Sequence, residues 1–215
     1  MDVTTLFNLS YGLFIIGAKD GERNVGCVVN TVMQTTSNPV TLSVCINKNN
    51  FTNVCIKKTK EFAVSILSEN IKENIISAFG FSSSKEKDKF SGVSYGFSPS
   101  GLPHLKEGVT GYIQCKVIDF VDNYTHTIFI AEVQEAENLS KDPPMTYAYY
   151  HKVIKGKAPK SAPTYVEEKD MPPAPAGAYK CSVCGYIYPG SRDEFERLPL
   201  DYKCPICTVT KDMFK

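Results

Sequence analysis

The chain lacks a charge excess, a long apolar run and a glycine fingerprint for nucleotides, and each absence removes a class of function. Its 24 basic and 23 acidic residues leave a formal charge of +1. No net field therefore draws it to nucleic acid or to an anionic membrane surface. No stretch approaches the roughly 20 apolar residues that a membrane span requires. Met1-Asp2-Val3 does not open a signal peptide, so the expected location is the cytoplasm. There is no Gly-x-Gly-x-x-Gly, which argues against a Rossmann unit. No internal repeat is present either.

What the chain does have is cysteine in a telling arrangement. Cys181-Ser-Val-Cys184 and Cys204-Pro-Ile-Cys207 are separated by 19 residues. Each pair puts two thiolates on one tight turn, and two such turns face to face make a tetrahedral four-sulfur cage that suits iron or zinc. The spacing does not choose between the two metals. Disulfides are disfavoured because nothing here reads as secreted. The remaining cysteines, Cys27, Cys45, Cys55 and Cys115, are scattered through apolar segments and read as reduced, mostly buried thiols.

At 215 residues the chain accommodates one full-sized domain and a small metal module. Residues 155–178 carry Pro159, Pro163, Pro172, Pro173 and Pro175 with several lysines. This composition predicts an extended, semi-rigid tether between a domain at 1–154 and a module at 179–215. In the large domain, apolar and β-branched runs recur at 13–16, 26–33, 40–46, 62–67, 112–121 and 127–133. Several alternate, as half-buried strands do. Residues 126, 128 and 130 share one face of such a strand, and 127, 129, 131 and 133 the other. Asn49 or Asn50 is placed to cap a short helix reaching Lys58, and Ser68 to cap another through Phe79. Many strands and few helices predict a mainly β fold, an antiparallel barrel.

Three polar islands interrupt the strands. Asn30, Thr31, Val32, Met33, Gln34 and Thr35 follow an apolar run. Cys45, Ile46, Asn47, Lys48 and Thr52 join a strand to a helix start, a natural seat for a phosphate. Ser82 and Lys89 belong to a cluster of hydroxyls and lysines at 81–90. Each island also reads as an ordinary capped turn or solvated loop.

The C-terminal aromatics single out a family. Gly185-Tyr186-Ile187-Tyr188, Phe195, Leu198-Pro199, Tyr202 and Lys211-Asp212-Met213-Phe214 surround the cysteines in a pattern that resembles rubredoxin. That resemblance implies one iron per chain on Cys181, Cys184, Cys204 and Cys207. Two departures stand out: a shortened spacer, and Thr208 where the family usually has glycine. Upstream, Leu9-Ser10-Tyr11-Gly12, Thr35-Thr36-Ser37-Asn38-Pro39, Glu61-Phe62-Ala63-Val64, Asp88-Lys89-Phe90 and His126-Thr127-Ile128-Phe129 resemble, in that order, a flavin reductase domain. The implied fold is a split antiparallel β-barrel, usually a homodimer, holding FMN or FAD near the subunit contact.

Together the two halves resemble a high-molecular-weight rubredoxin. The resemblance implies that Asn30, Thr31, Val32, Met33, Gln34 and Thr35 border the isoalloxazine ring of FMN. Cys45, Ile46, Asn47, Lys48 and Thr52 then lie along the ribityl phosphate, with Ser82 and Lys89 nearby, and His126 is the catalytic candidate. The implied activity is electron transfer from NAD(P)H through flavin to iron, then to an acceptor redox protein such as a flavodiiron oxygen or nitric oxide reductase. Two other readings keep the flavin: a passive carrier without nicotinamide activity, and a flavin-binding protein whose module is a structural zinc knob.

Overall fold

The computed structural model describes residues 3–154, 158–165, 177–182, 186–205 and 209–215. Among these, the strands in chain order are β1 Phe14–Asp20, β2 Arg23–Val29, β3 Val32–Ser37, β4 Val40–Asn47, β5 Glu61–Leu67, β6 Tyr95–Phe97, β7 Pro103–Leu105, β8 Val109–Asn123 and β9 His126–Asn138. The helices are α1 Phe51–Thr59, α2 Glu73–Gly80, α3 Tyr147–Lys152 and α4 Arg192–Arg197.

Seven strands make one sheet in the order β2-β1-β5-β8-β9-β4-β3, and every pair in it is antiparallel. The outermost strands, β2 and β3, are joined by residues 30–31 alone. Two residues cannot bridge a flat seven-stranded sheet, whose strands lie about 4.8 Å apart. The sheet must curl until its edges nearly meet, and the result is a split barrel. β6 and β7 form a separate hairpin.

The apolar alternation has a direct structural counterpart. Thr127, Phe129 and Ala131 of β9 are fully buried, while Ile128 and Ile130 on the opposite face are half-buried. The barrel interior holds Ile16, Ala18, Val25, Val44, Ile46, Phe62, Val64, Cys115 and Phe129, with Cys55 and Ile56 of α1 packed into the same cluster. A second cluster, with Leu13, Ile15, Leu67, Ile76, Phe79, Phe90, Leu105, Met145 and Tyr150, packs α2 and α3 against the sheet. β1 feeds both clusters from its two faces. That explains why it reads as a continuous apolar run rather than an alternating one.

Two expectations need correction. The run at 26–33 is not one strand: it breaks at Asn30, where the chain turns from one edge of the barrel to the other. The second helix starts at Glu73 with Lys72 as its N-cap, not at Ser68. Ser68 is instead held by its backbone, donating to Gly108 O (2.9 Å) and bridging to Pro144. The sheet has taken the residue that would otherwise cap the helix. The first helix does begin as its sequence predicts, with the Asn50 side chain accepting from Thr52 N at 3.0 Å.

Gly26 shows why α2 can lie so close to the barrel. A Cβ there would come within 2.9 Å of the Phe79 ring, so only glycine lets this helix settle onto β2.

Candidate functional site

A cleft of about 620 Å³ opens where β2, the β4–α1 turn, β9 and the end of α2 converge. Asn30, Cys45, Ile46, Asn47, Ser82 and His126 all line it, joined by Asn49, Asn50, Phe51, Phe79 and Phe81. The three separate polar islands therefore contribute to one cavity. The β4–α1 turn is fixed by its asparagines. Asn47 Oδ1 accepts from Asn49 N (2.9 Å), and Asn53 Nδ2 donates to Ile46 O (3.0 Å). These bonds satisfy the helix start and keep the side-chain amide of Asn47 turned toward the cleft.

Other sequence candidates lie elsewhere. Val32, Met33, Gln34 and Thr35 sit on β3, the sheet edge, where Met33 is 64% exposed. Thr31 Oγ1 donates to Cys45 O at 3.3 Å, tying the edge strand to β4 behind the cleft. Lys48 is exposed. Lys89 is buried and donates to Gly26 O (3.0 Å) and Phe79 O (2.9 Å), so it caps the C-terminus of α2 rather than reaching the cavity. Burial pushes its ammonium below the usual lysine range, against the opposing pull of Cys27. The Cys27 thiol is pushed up to about 11, chiefly by burial, with Lys89, Thr52 and Asn50 pulling the other way. The Thr52 hydroxyl is fully buried with no oxygen or nitrogen partner, and the polar group beside it is the weakly accepting Cys27 thiol. A hydroxyl so weakly satisfied at a helix start fits a ligand that brings a stronger acceptor.

Residues 158–163, which read as tether in the sequence, also line the cleft. The Ser161 carbonyl accepts from Asn47 Nδ2 at 3.1 Å and from His126 Nε2–H at 3.2 Å. Thr164 Oγ1 accepts from Asn30 Nδ2 at 2.8 Å and pairs with the Tyr147 hydroxyl at 2.9 Å. The first part of the predicted tether is thus a strap across the cleft mouth, held by three of the candidate ligand-binding side chains. A carbonyl cannot donate, so His126 carries its proton on Nε2, and Nδ1 is left to accept from the Thr125 hydroxyl at 2.8 Å. Burial lowers the His126 pKa from its ordinary value, and the bond to Ser161 only partly offsets this.

The second site is the C-terminal module. Cys181 and Cys204 are buried with Tyr186, Phe195 and Phe214; Cys184, Cys207 and Thr208 lie outside the described residues. The two cysteine segments are built alike. Cys181 N donates to Tyr186 O and Cys204 N to Val209 O, each at 2.8 Å and each five residues ahead. Bridges Lys180–Ile187 and Lys203–Thr210 close both loops at the same seven-residue separation. Two equivalent loops, each enclosing a Cys-x-x-Cys, are the donor set that a tetrahedral thiolate metal site requires. The aromatics form the wall: Tyr179 stacks on Phe195 at 4.1 Å and Phe195 tilts against Phe214 at 4.9 Å. Ser191 and Glu194 form a capping box that starts α4 and delivers Phe195 to this core.

Residues 6–157 match the flavin reductase like domain family, and residues 178–214 match the rubredoxin family. The chain is 42% identical to the high molecular weight rubredoxin of Moorella thermoacetica, covering 100% of this chain and 99% of the relative. It belongs to the high-molecular-weight rubredoxin family. It is also 40% identical to the ferric-chelate reductase (NAD(P)H) of Archaeoglobus fulgidus, over 79% of this chain and all of that protein. The Streptomyces globisporus NADH:FAD oxidoreductase superposes with a TM-score of 0.60 over 66% of this chain and 84% of that one, at 21% identity. At that identity the likeness speaks for the fold, a flavin reductase-like split barrel. The chain is an electron-transfer oxidoreductase that joins a flavin domain to an iron domain. Among the described residues no helix is long and apolar enough to cross a membrane.

Proposed function

We propose that this protein takes electron pairs from NAD(P)H into FMN held in the cleft and passes them singly to iron on Cys181, Cys184, Cys204 and Cys207. The acceptor we assign is a redox protein, a flavodiiron oxygen or nitric oxide reductase, following the family resemblance. The observation that carries the reading is the pairing of a cleft lined by amide and imidazole donors with a doubled cysteine loop in one chain. Flavin supplies the conversion between a two-electron hydride and one-electron iron chemistry.

The chain's own groups have defined parts in this scheme. Asn30, Asn47 and His126 present N–H donors at the cleft mouth, each now engaged by the strap. Lifting residues 158–165 frees these donors for the carbonyl and carboxamide oxygens of the flavin or nicotinamide. Neutral His126 serves as a donor from Nε2, not as a cation. Thr52 and the α1 start await the phosphate, with Lys48 as its counter-charge. Residues 166–176 join the strap to the module and span at most about 40 Å, so the iron stays close to the cleft at high effective concentration. A homodimer is part of the proposal. It covers the β3 edge, where Met33 is exposed, with Val40 at the adjoining start of β4, and brings Val32, Gln34 and Thr35 of the edge to the flavin. The cytoplasm is the proposed location.

The visible spectrum of the purified protein before and after anaerobic NADH tests this reading, together with metal analysis. Flavin and ferric bands that both bleach support it. One zinc per chain after iron-replete expression, or a flavin that NADH leaves oxidised, overturns it.

A further inference from the structure

One residue belongs to both sites. Phe81, the C-cap of α2, lines the cleft beside Phe79 and Ser82. It also packs against the buried core of the metal module, formed by Cys181, Tyr186, Phe195, Cys204 and Phe214. Ile154, just past α3, likewise packs against both the outer layer of the barrel and that module core, but it does not line the cleft. The eight-residue helix is only about 12 Å long at 1.5 Å per residue. The module thus leans on the C-terminal end of α2 and on Ile154, and the cleft lies at that same end of the helix.

We infer that α2 and Ile154 form the platform on which the rubredoxin module docks, and that Phe81 is the contact through which electrons cross from the cleft to the iron. The inference rests on the relay proposed above and names the place where it happens. Electron tunnelling falls steeply with separation, and a packed ring leaves no gap, whereas a truncated side chain leaves a void or water. Flavin held in the cleft would give up electrons singly, and iron held by Cys181, Cys184, Cys204 and Cys207 would accept them singly for the acceptor protein. Each hydride taken from NAD(P)H would thus be balanced by two ferric-to-ferrous reductions and one proton released to water. Phe81 acts here as a positioning residue; it undergoes no chemistry itself.

The test uses the full-length holoprotein, with flavin and ferric spectra recorded first to establish that each variant is loaded. NADH is mixed in anaerobically, and bleaching of the flavin band and of the ferric charge-transfer band are followed in the same reaction. Small-angle scattering reports the size of the particle. Phe81→Ala should slow iron bleaching relative to flavin bleaching by roughly tenfold, the usual effect of truncating a packed interface aromatic. Phe81→Tyr should restore the ratio. Ile154→Glu, outside the cleft, should slow iron bleaching, leave flavin bleaching at its original rate, and enlarge the particle. Iron bleaching at the original rate in both Phe81→Ala and Ile154→Glu would overturn the inference while leaving the relay intact. Iron that never bleaches in the unmodified protein sinks the relay and the electron role of Phe81 with it. An unchanged particle size for Ile154→Glu removes the docking platform on its own.

Discussion

The barrel and the module solve the same problem, closing a core, by opposite means. The barrel buries two apolar layers of its own side chains, one inside the sheet and one between the sheet and its helices. The module at 177–215 has one six-residue helix, one 3-10 turn and a few bridges among its described residues. Two of its five core residues are cysteines. Chains below about 40 residues seldom bury enough surface to fold unaided, and metal binding then becomes part of the folding free energy. The lesson is that this protein holds one domain that carries its cofactor and one that its cofactor holds together.

Metal removal should separate the two regions most sharply. Removing the metal with a chelator, or replacing Cys204 with Ser, should abolish the ordered aromatic core around Phe195 while the barrel keeps its melting transition. Near-ultraviolet circular dichroism and calorimetry on the same samples check this. If the barrel melts together with the stripped module, the two regions share one cooperative unit and the contrast is wrong. If the module keeps its signal without metal, its aromatics alone suffice.

Much of this division was legible in the sequence, and what was not has physical reasons. The doubled Cys-x-x-Cys and its aromatics mark the module because thiolate ligation allows little freedom in spacing. β4 and β9 were legible because one face of each is buried and the other only partly so. The split of the run at 26–33 was hidden, since Asn30 looks like any polar residue until its two-residue turn is seen to join opposite edges of the sheet. The hairpin of β6 and β7 was missed because three-residue strands show no period. Lys89 reads as a surface ligand in sequence, yet two backbone carbonyls draw it inside. The strap was the deepest omission. Its anchors are a backbone carbonyl and one threonine hydroxyl, and a carbonyl has no sequence signature. The cluster of tyrosines at 147–150 was the one available signal.

The barrel should respond less to losing a ligand contact than the module does to losing its metal. A domain that only carries its cofactor should tolerate losing a binding group and even gain from it. The Thr52 hydroxyl is buried with only the Cys27 thiol as a weak polar neighbour, and a poorly satisfied polar group costs up to about 1–3 kcal/mol. Thr52→Val should therefore leave the flavin-free protein as stable or more stable. If that hydroxyl bonds the flavin phosphate, Thr52→Val combined with Lys48→Ala should weaken flavin binding roughly ten- to a hundredfold, the loss of a charge-assisted bond. Thermal melts of the flavin-free form and calorimetric titration with FMN separate the two quantities. An unchanged dissociation constant would place the phosphate elsewhere, and Ser82 is then the next candidate.

The smallest effect concerns the strap, which connects the two regions. His126 is held neutral by burial, with its pKa below the ordinary histidine value of about 6.5. Above that value neither the folded nor the unfolded chain protonates it, so stability does not depend on pH through this residue. As pH falls below it, the unfolded chain takes up a proton that the folded chain resists. Stability is therefore lost across the window between the unfolded value and the lower folded one. His126→Gln retains an N–H that can reach the Ser161 carbonyl but cannot titrate. Subtracting its stability curve from that of the unmodified protein removes the contributions of His104, His151 and the carboxylates. The difference should be flat near neutral pH and turn against the unmodified protein in acid. Amide exchange should show residues 158–165 loosening over the same window. A difference that instead favours the unmodified protein in acid would mean that the cleft stabilises an imidazolium. His126 would then be a cation facing the flavin site, and the donor role assigned to its neutral form would have to be abandoned.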